Sequence, residues 1–162
     1  MVRVFVPKES RAGERRVALI PDVISKLTRA GFEVVVENGA GDFAGASDTQ
    51  FVTAGAKIGK LDEISSADVI LSVQPLTPNQ FASLKSGSLT ISFLSPTNAE
   101  ENIAAAAKAG VTAFSLELVP RISRAQSMDA LTSQALCAGY RAALVAADIT
   151  RFFPLLMTQL ER

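Results

Sequence analysis

Residues 89–116 read LTISFLSPTNAEENIAAAAKAGVTAFSL, and this stretch contains one complete strand–helix–strand unit. Leu89 to Leu94 is a short apolar and β-branched run. Asn98 offers an N-cap side chain to the alanine-rich segment 99–109, whose residues lose little side-chain entropy in a helix. Gly110 ends that helix, and Val111 to Leu116 forms the next strand. Strands that alternate with helices rather than tight turns signal a parallel sheet with crossover helices.

The same rhythm extends upstream. Val2 to Val6 is a strand, and Pro21 opens a helix in which Val23, Ile24, Leu27 and Ala30 recur at helical spacing before Gly31. Phe32 to Val36 is a second strand. Asp48 caps a short helix that ends at Gly55, Ala56 to Ile58 is a brief third strand, and Val69 to Val73 is a fourth that leads into Gln74-Pro75. A helix over Asn79–Leu84 enters at Thr77 or Pro78. Six strands with intervening helices predict an α/β fold, a doubly wound, mostly parallel sheet of Rossmann-like or flavodoxin-like type.

Downstream the rhythm stops. Met128 to Phe153 is a helix-compatible run of 26 residues ended by Pro154, about 39 Å long at the helical rise per residue. Ala135, Ala138, Gly139, Ala142, Ala143, Ala146 and Ala147 spread small side chains over more than one face, the pattern of a helix packed on several sides. The expected organisation is an N-terminal lobe over 1–127, a long connecting helix over 128–153 and a short tail over 154–162.

Composition restricts the chemistry. Across 162 residues, 16 basic and 16 acidic side chains balance to zero, with no histidine and one cysteine. Zero net charge without a Lys/Arg block argues against nucleic acid or an anionic membrane surface as a partner. The absence of histidine removes Ser-His-Asp and Cys-His catalytic pairs and histidine metal ligation, so no catalytic and no metal-binding residue is assigned. A lone Cys137 forbids an internal disulfide, and MVRVFVPKES lacks the zones of a signal peptide. These features predict a cytoplasmic protein without direct membrane insertion, since no segment offers about 20 uninterrupted apolar residues.

Three stretches could carry chemistry. Gly39-Ala40-Gly41-Asp42-Phe43-Ala44 has the form of a dinucleotide fingerprint. It follows the second strand and not the first, and the next helix is expected only at Asp48, so a tight glycine turn explains it better. The loop Lys8 to Arg16 lies at the carboxyl end of the first strand, where α/β sheets bind ligands, although its mixed charges equally fit a solvated loop with internal ion pairs. Arg16, beside Val17-Ala18-Leu19, is the residue expected to be held in place. Glu117 to Asp129 follows the sixth strand and combines two arginines, a glutamine amide, two serines and an aspartate. Such a set serves a polyhydroxylated anionic ligand, yet Ser127 as an N-cap and Asp129 as a first-turn acid would explain it as well.

At this last stretch a resemblance enters. Arg121-Ile122-Ser123-Arg124-Ala125-Gln126-Ser127-Met128-Asp129, then Ser133-Gln134 and Ala138-Gly139-Tyr140-Arg141-Ala142, resemble the α subunits of proton-translocating NAD(P) transhydrogenases, of the alanine dehydrogenase/transhydrogenase superfamily. Pro7-Lys8-Glu9, Gly13 to Ala18, Glu37 to Gly41 and Phe153 to Thr158 extend the likeness along nearly the whole chain. Alanine dehydrogenases need a substrate-binding lysine after the fourth strand and a catalytic histidine after the fifth; Gln74 and Ser95 stand at those places here. Hydride transfer between two nicotinamides needs orientation rather than an acid/base, so the missing histidine fits a transhydrogenase.

The resemblance implies that NAD(H) is the cofactor and that the 121–129 loop folds over its nicotinamide end. It implies that Arg121 and Gln126 position the nicotinamide and that Asp129 hydrogen-bonds nearby. Ile122, Ser123, Arg124, Leu131 and Thr132 would line the same site, with Gln74 the polar group after strand four. Thr132 stands where the family usually has serine. The family continues past its Met-Thr into an NAD-binding Rossmann domain, absent from residues 154–162, which is expected to supply most of the affinity. The resemblance also implies a homodimer, partner subunits that bind NADP(H) and span the membrane, and a cytoplasmic location peripheral to the inner membrane. Two alternatives are a lobe of an alanine-dehydrogenase-like oxidoreductase and a non-catalytic interaction module.

Overall fold

The computed structural model describes residues 1–97 and 100–150. The chain divides into a compact unit over Met1–Leu118 and a second that begins at Val119.

The first unit is built on six parallel strands: β1 (Val2–Val6), β2 (Phe32–Glu37), β3 (Lys57–Gly59), β4 (Val69–Leu71), β5 (Leu89–Ser92) and β6 (Thr112–Ser115), in the order β3-β2-β1-β4-β5-β6. The expected doubly wound sheet is present, and every pairing in it is parallel. β1 alternates its side chains between two cores. Val4 and Val6 join Val34 and Val36 under Ile24 of helix α1 (Pro21–Arg29) and Phe51 of α2 (Asp48–Thr53). Phe5 and Val35 face the other way, with Ile70, under Phe81 of α3 (Pro78–Ser83) and Ala106 of α4 (Glu100–Ala109). Burial on both faces is why these strands read as continuous apolar runs.

β1 and β4 share a short ladder, Val4 with Val69 and Phe5 with Ile70. Side chains extend it: Arg3 donates its backbone N–H to Asp68 Oδ2 at 2.7 Å, and Lys85 Nζ lies 2.5 Å from Asp68 Oδ1.

Several boundaries differ from the sequence expectation. Ser47, not Asp48, caps α2, through a capping box with Gln50. Asp48 instead accepts from Asn38 Nδ2 at 2.7 Å and Gly39 N at 3.0 Å, pinning the turn after β2. A 3-10 turn over Leu61–Ser66, which has no periodic apolar signature, joins β3 to β4. The strands are trimmed: β3 is shifted by one residue to Lys57–Gly59, while β4, β5 and β6 stop short of Val73, Leu94 and Leu116. The cap expected at Asn98 lies outside the described residues.

In the second unit, a 3-10 turn over Ser123–Met128 precedes α5 (Ala130–Thr150), so the long helix begins two residues later than Met128. Asp129 provides the reason, because its carboxylate accepts from Thr132 N at 2.9 Å and Thr132 Oγ1 at 2.6 Å, the geometry of an N-cap. Asp129 thus has the capping role that Ser127 could have filled. Residues 151–153 of the expected helix lie outside the described residues.

The turn 39–44 has two kinds of glycine. Gly39 adopts φ +69°, as a tight turn requires, and a short 3-10 turn over Asp42–Ala44 starts inside the segment. Gly41 is there for space: a Cβ on it would lie 2.3 Å from the Ala46 carbonyl oxygen and 2.6 Å from Phe51 Cε2. Gly41→Ala is expected to cost about 2 kcal/mol through overpacking against backbone, read as a lowered urea midpoint. An unchanged midpoint would contradict the close approach.

Candidate functional site

In this strand order the chain leaves β1 towards β2 and leaves β4 towards β5, so the loops after β1 and β4 part at the carboxyl edge of the sheet. This divergence is where open α/β sheets form their ligand crevice. Three side chains of the 8–16 loop, Glu9, Arg11 and Glu14, meet the segment just after β4 there. Glu9 accepts from Val73 N at 2.6 Å and Gln74 N at 3.2 Å, which straps the first loop across the gap. Gln74 accepts from an Arg11 guanidinium nitrogen at 2.9 Å and donates through Nε2 to Glu14 Oε2 at 2.7 Å. Glu14 also receives a fork from Arg16, at 2.8 Å from Nε and 2.7 Å from a terminal nitrogen. Arg16 is thereby held in place, as expected for it, and the partner is an acid two residues away.

The two carboxylates are poised in opposite directions. Burial pushes Glu9 upward, opposed by the N–H groups of Val73 and Gln74. The Arg16 guanidinium, with help from the Gln74 amide and the Arg16 backbone, holds Glu14 down to about 2.

A third carboxylate organises the neighbouring edge. Glu117, just past β6, accepts from Leu94 N at 3.1 Å, from Ser95 N and from Ser115 Oγ at 2.5 Å. Burial pushes its carboxyl up, but these hydrogen bonds together outweigh burial and hold it below the usual range. Ser95 is held in the left-handed region, at φ +49°, an uncommon conformation for a residue other than glycine.

The sequence candidates fall in both units: Gln74 in the first, Arg121, Ile122, Ser123, Arg124, Gln126, Asp129, Leu131 and Thr132 in the second. Within the second, turns closed by Ala125 N to the Ile122 carbonyl at 2.9 Å and Asp129 N to the Gln126 carbonyl at 3.3 Å wind the segment around buried Ala125. The side chains of Arg121, Ile122, Ser123, Arg124 and Gln126 are left exposed. Among the described residues, those of Arg121, Ser123, Arg124 and Gln126 make no hydrogen bond or ion pair. Asp129 and Thr132 are joined by the helix cap; Thr132's hydrogen bonds, and secondarily the Arg121 charge, hold Asp129 below the usual carboxylate range. The segment therefore presents several open donors beside one anchored acid.

Glu9, Glu14 and Glu117 lie inside the candidate stretches 8–16 and 117–129 but are not singled out in them by the sequence. An acid in a loop after a strand is a signal too common to choose before the strand order is known. No helix among the described residues is long and apolar enough to cross a membrane.

Glu14 gives a pH signature. A folded-state pKa near 2 against an ordinary 4.5 means that its contribution is complete above about pH 4.5 and is lost as pH falls towards 2. Discounting for the solvent-screened Arg16 partner leaves roughly 1–2 kcal/mol. Glu14→Gln is expected to lower neutral-pH stability by that amount and to flatten the acid limb of a stability–pH curve; an unaltered acid limb would contradict this assignment.

The profile of the family described as "Alanine dehydrogenase/PNT, N-terminal domain" matches residues 5–138. The chain is 42% identical over 97% of its length to the first part of the NAD(P) transhydrogenase subunit alpha of Rhodospirillum rubrum, of which it covers 43%. It is 32% identical over 89% of its length to alanine dehydrogenase 1 of Staphylococcus aureus, covering 38% of that protein. The solved structure of a transhydrogenase from Sinorhizobium meliloti superposes with a TM-score of 0.87 at 45% identity, over 90% of this chain and 44% of the other. The chain thus spans less than half the length of these relatives. With the parallel sheet, the long helix and a profile that runs from β1 into α5 all in agreement, the chain belongs to the alanine dehydrogenase/PNT N-terminal domain family.

Proposed function

We propose that the chain is the lobe of a proton-translocating NAD(P) transhydrogenase α subunit that positions NAD(H) for hydride exchange with NADP(H). The observation that carries this reading is the set of open donors on 121–126, next to the Asp129–Thr132 pair. Carboxamide and ribose hydroxyls need both donors and an acceptor. Arg121, Arg124, Ser123 and the Gln126 amide supply donors; Asp129, anchored by Thr132, supplies the acceptor. In this reading Arg121 and Gln126 orient the nicotinamide, Ile122 and Leu131 give it apolar contact, and Gln74 adds a polar group from the end of β4. The bound nicotinamide supplies the hydride donor or acceptor. The chain's own side chains orient it and contribute no acid or base, in keeping with a sequence without histidine.

The greater identity to transhydrogenase subunits than to alanine dehydrogenase favours this reading. So does Gln74, whose amide is engaged by Arg11 and Glu14 where an alanine dehydrogenase would place a lysine. The remaining assignments belong to the same proposal. The lobe extends over 1–127 and is followed by a connecting helix that starts at Ala130; a Rossmann domain outside this chain supplies most of the NAD(H) affinity; the α subunit dimerises. NADP(H)-binding and membrane subunits hold the assembly at the cytoplasmic side of the membrane.

With no tryptophan and one tyrosine, the chain permits a direct titration by NADH emission. Weak but saturable binding is expected, reduced about tenfold or more in Arg121→Ala and Gln126→Ala. Wild-type and variant chains that bind alike, or ADP-ribose that binds as well as NADH, would overturn the nicotinamide assignment.

A further inference from the structure

The turn after β2 carries Asn38-Gly39, and no other asparagine of the sequence precedes a glycine. Asn-Gly is the pair that closes to a succinimide most readily, because glycine puts no Cβ between its own backbone nitrogen and the side-chain carbonyl of the residue before it. In the folded chain both groups that this reaction needs are taken by one carboxylate. Asn38 Nδ2, the leaving amine, donates to Asp48 Oδ2 at 2.7 Å, and the N–H of Gly39, the attacking nitrogen, is shared between Asp48 Oδ1 at 3.0 Å and Oδ2 at 3.3 Å. The backbone on either side is fixed as well: Asn38 N donates to the Gly59 carbonyl and Ala40 N to the Glu37 carbonyl, both at 3.0 Å. Asn38 is exposed, so water reaches it, whereas Gly39 is buried.

We propose that Asn38 is a latent deamidation site, kept closed by Asp48 in the folded chain and opened when the start of α2 releases the turn. In the reaction the Gly39 nitrogen bonds to Asn38 Cγ, the Cγ–Nδ2 bond breaks, and ammonia leaves with the proton that the Gly39 nitrogen gives up. Water then opens the succinimide at one or the other carbonyl and leaves aspartate or isoaspartate at position 38. Asp48 opposes the first step in two ways. Its charge disfavours the nitrogen anion that must form at Gly39, and its hydrogen bonds hold the attacking nitrogen and the leaving amine against the carboxylate rather than against each other. Conversion is also self-locking. A carboxylate at 38 would face Asp48 where a hydrogen bond now bridges the two residues, so a turn that has reacted does not close as before. The site lies wholly in the first unit and is independent of the nicotinamide role proposed for 121–132.

The test is the rate of conversion at Asn38 in mildly alkaline buffer, read by mass spectrometry of the peptide that contains it, with aspartate and isoaspartate products separated by chromatography. The wild-type chain is compared folded and in urea, and beside folded Asp48→Asn and Asp48→Ala chains whose fold is verified by circular dichroism. Ser47 caps α2, so neither substitution removes that helix's cap. Folded wild type is expected to convert about tenfold or more slowly than the chain in urea, and both folded variants to regain a similar factor, as the loss of hydrogen bonds to a charged acceptor predicts. Conversion at Asn102 on α4 should be the same in all folded chains. Where a substitution costs the fold, a urea series on the wild-type chain decides, because conversion at Asn38 must rise with the fraction unfolded. Folded wild type that converts as quickly as the unfolded chain, folded variants as slow as wild type, or no conversion in urea would overturn the proposal.

Discussion

The junction of β1 with β4 governs the rest of the structure. Every other pairing within the sheet extends one side or the other, whereas this pairing joins the two halves through only two residue pairs. So short a ladder needs reinforcement, and side chains provide it at both ends. Asp68 takes the Arg3 N–H at the amino end, and Glu9 takes the N–H groups of Val73 and Gln74 at the carboxyl end. Buried backbone donors beyond the last ladder bond would otherwise be unsatisfied. The Glu9 strap is therefore structural and ties the loop after β1 to the segment after β4.

The carboxyl edge of the sheet is consequently dominated by acids with assigned partners. Glu9 closes the β1–β4 gap, Glu14 gathers Arg16 and Gln74, and Glu117 gathers the ends of β5 and β6. In the second unit the side chains of Arg121, Ser123, Arg124 and Gln126 are exposed, and the nearby Asp129 is tied to Thr132.

Much of the fold was legible because burial on both faces of a parallel sheet leaves apolar runs, and because Gly31, Gly55 and Gly110 mark helix ends directly. What was illegible depends on contacts distant in sequence. Ser47 and Asp48 are both good caps, and only the position of Gly39 decides that Asp48 turns away to hold the preceding turn. The 3-10 turn over Leu61–Ser66 has no periodic pattern to find. For the site, the 121–132 segment stood out by composition and resemblance, while Glu9 and Glu117 acquire meaning only once parallel pairing brings Val73 and Leu94 beside them.

The central functional claim concerns which end of the cofactor meets residues 121–132. The most direct measurement is a set of nuclear Overhauser contacts between NADH and the methyl groups of Ile122 and Leu131 in a methyl-labelled chain. Contacts from the nicotinamide protons to both methyl groups are the predicted result. Contacts from the adenine protons alone, or bound NADH that reaches neither residue, would contradict it.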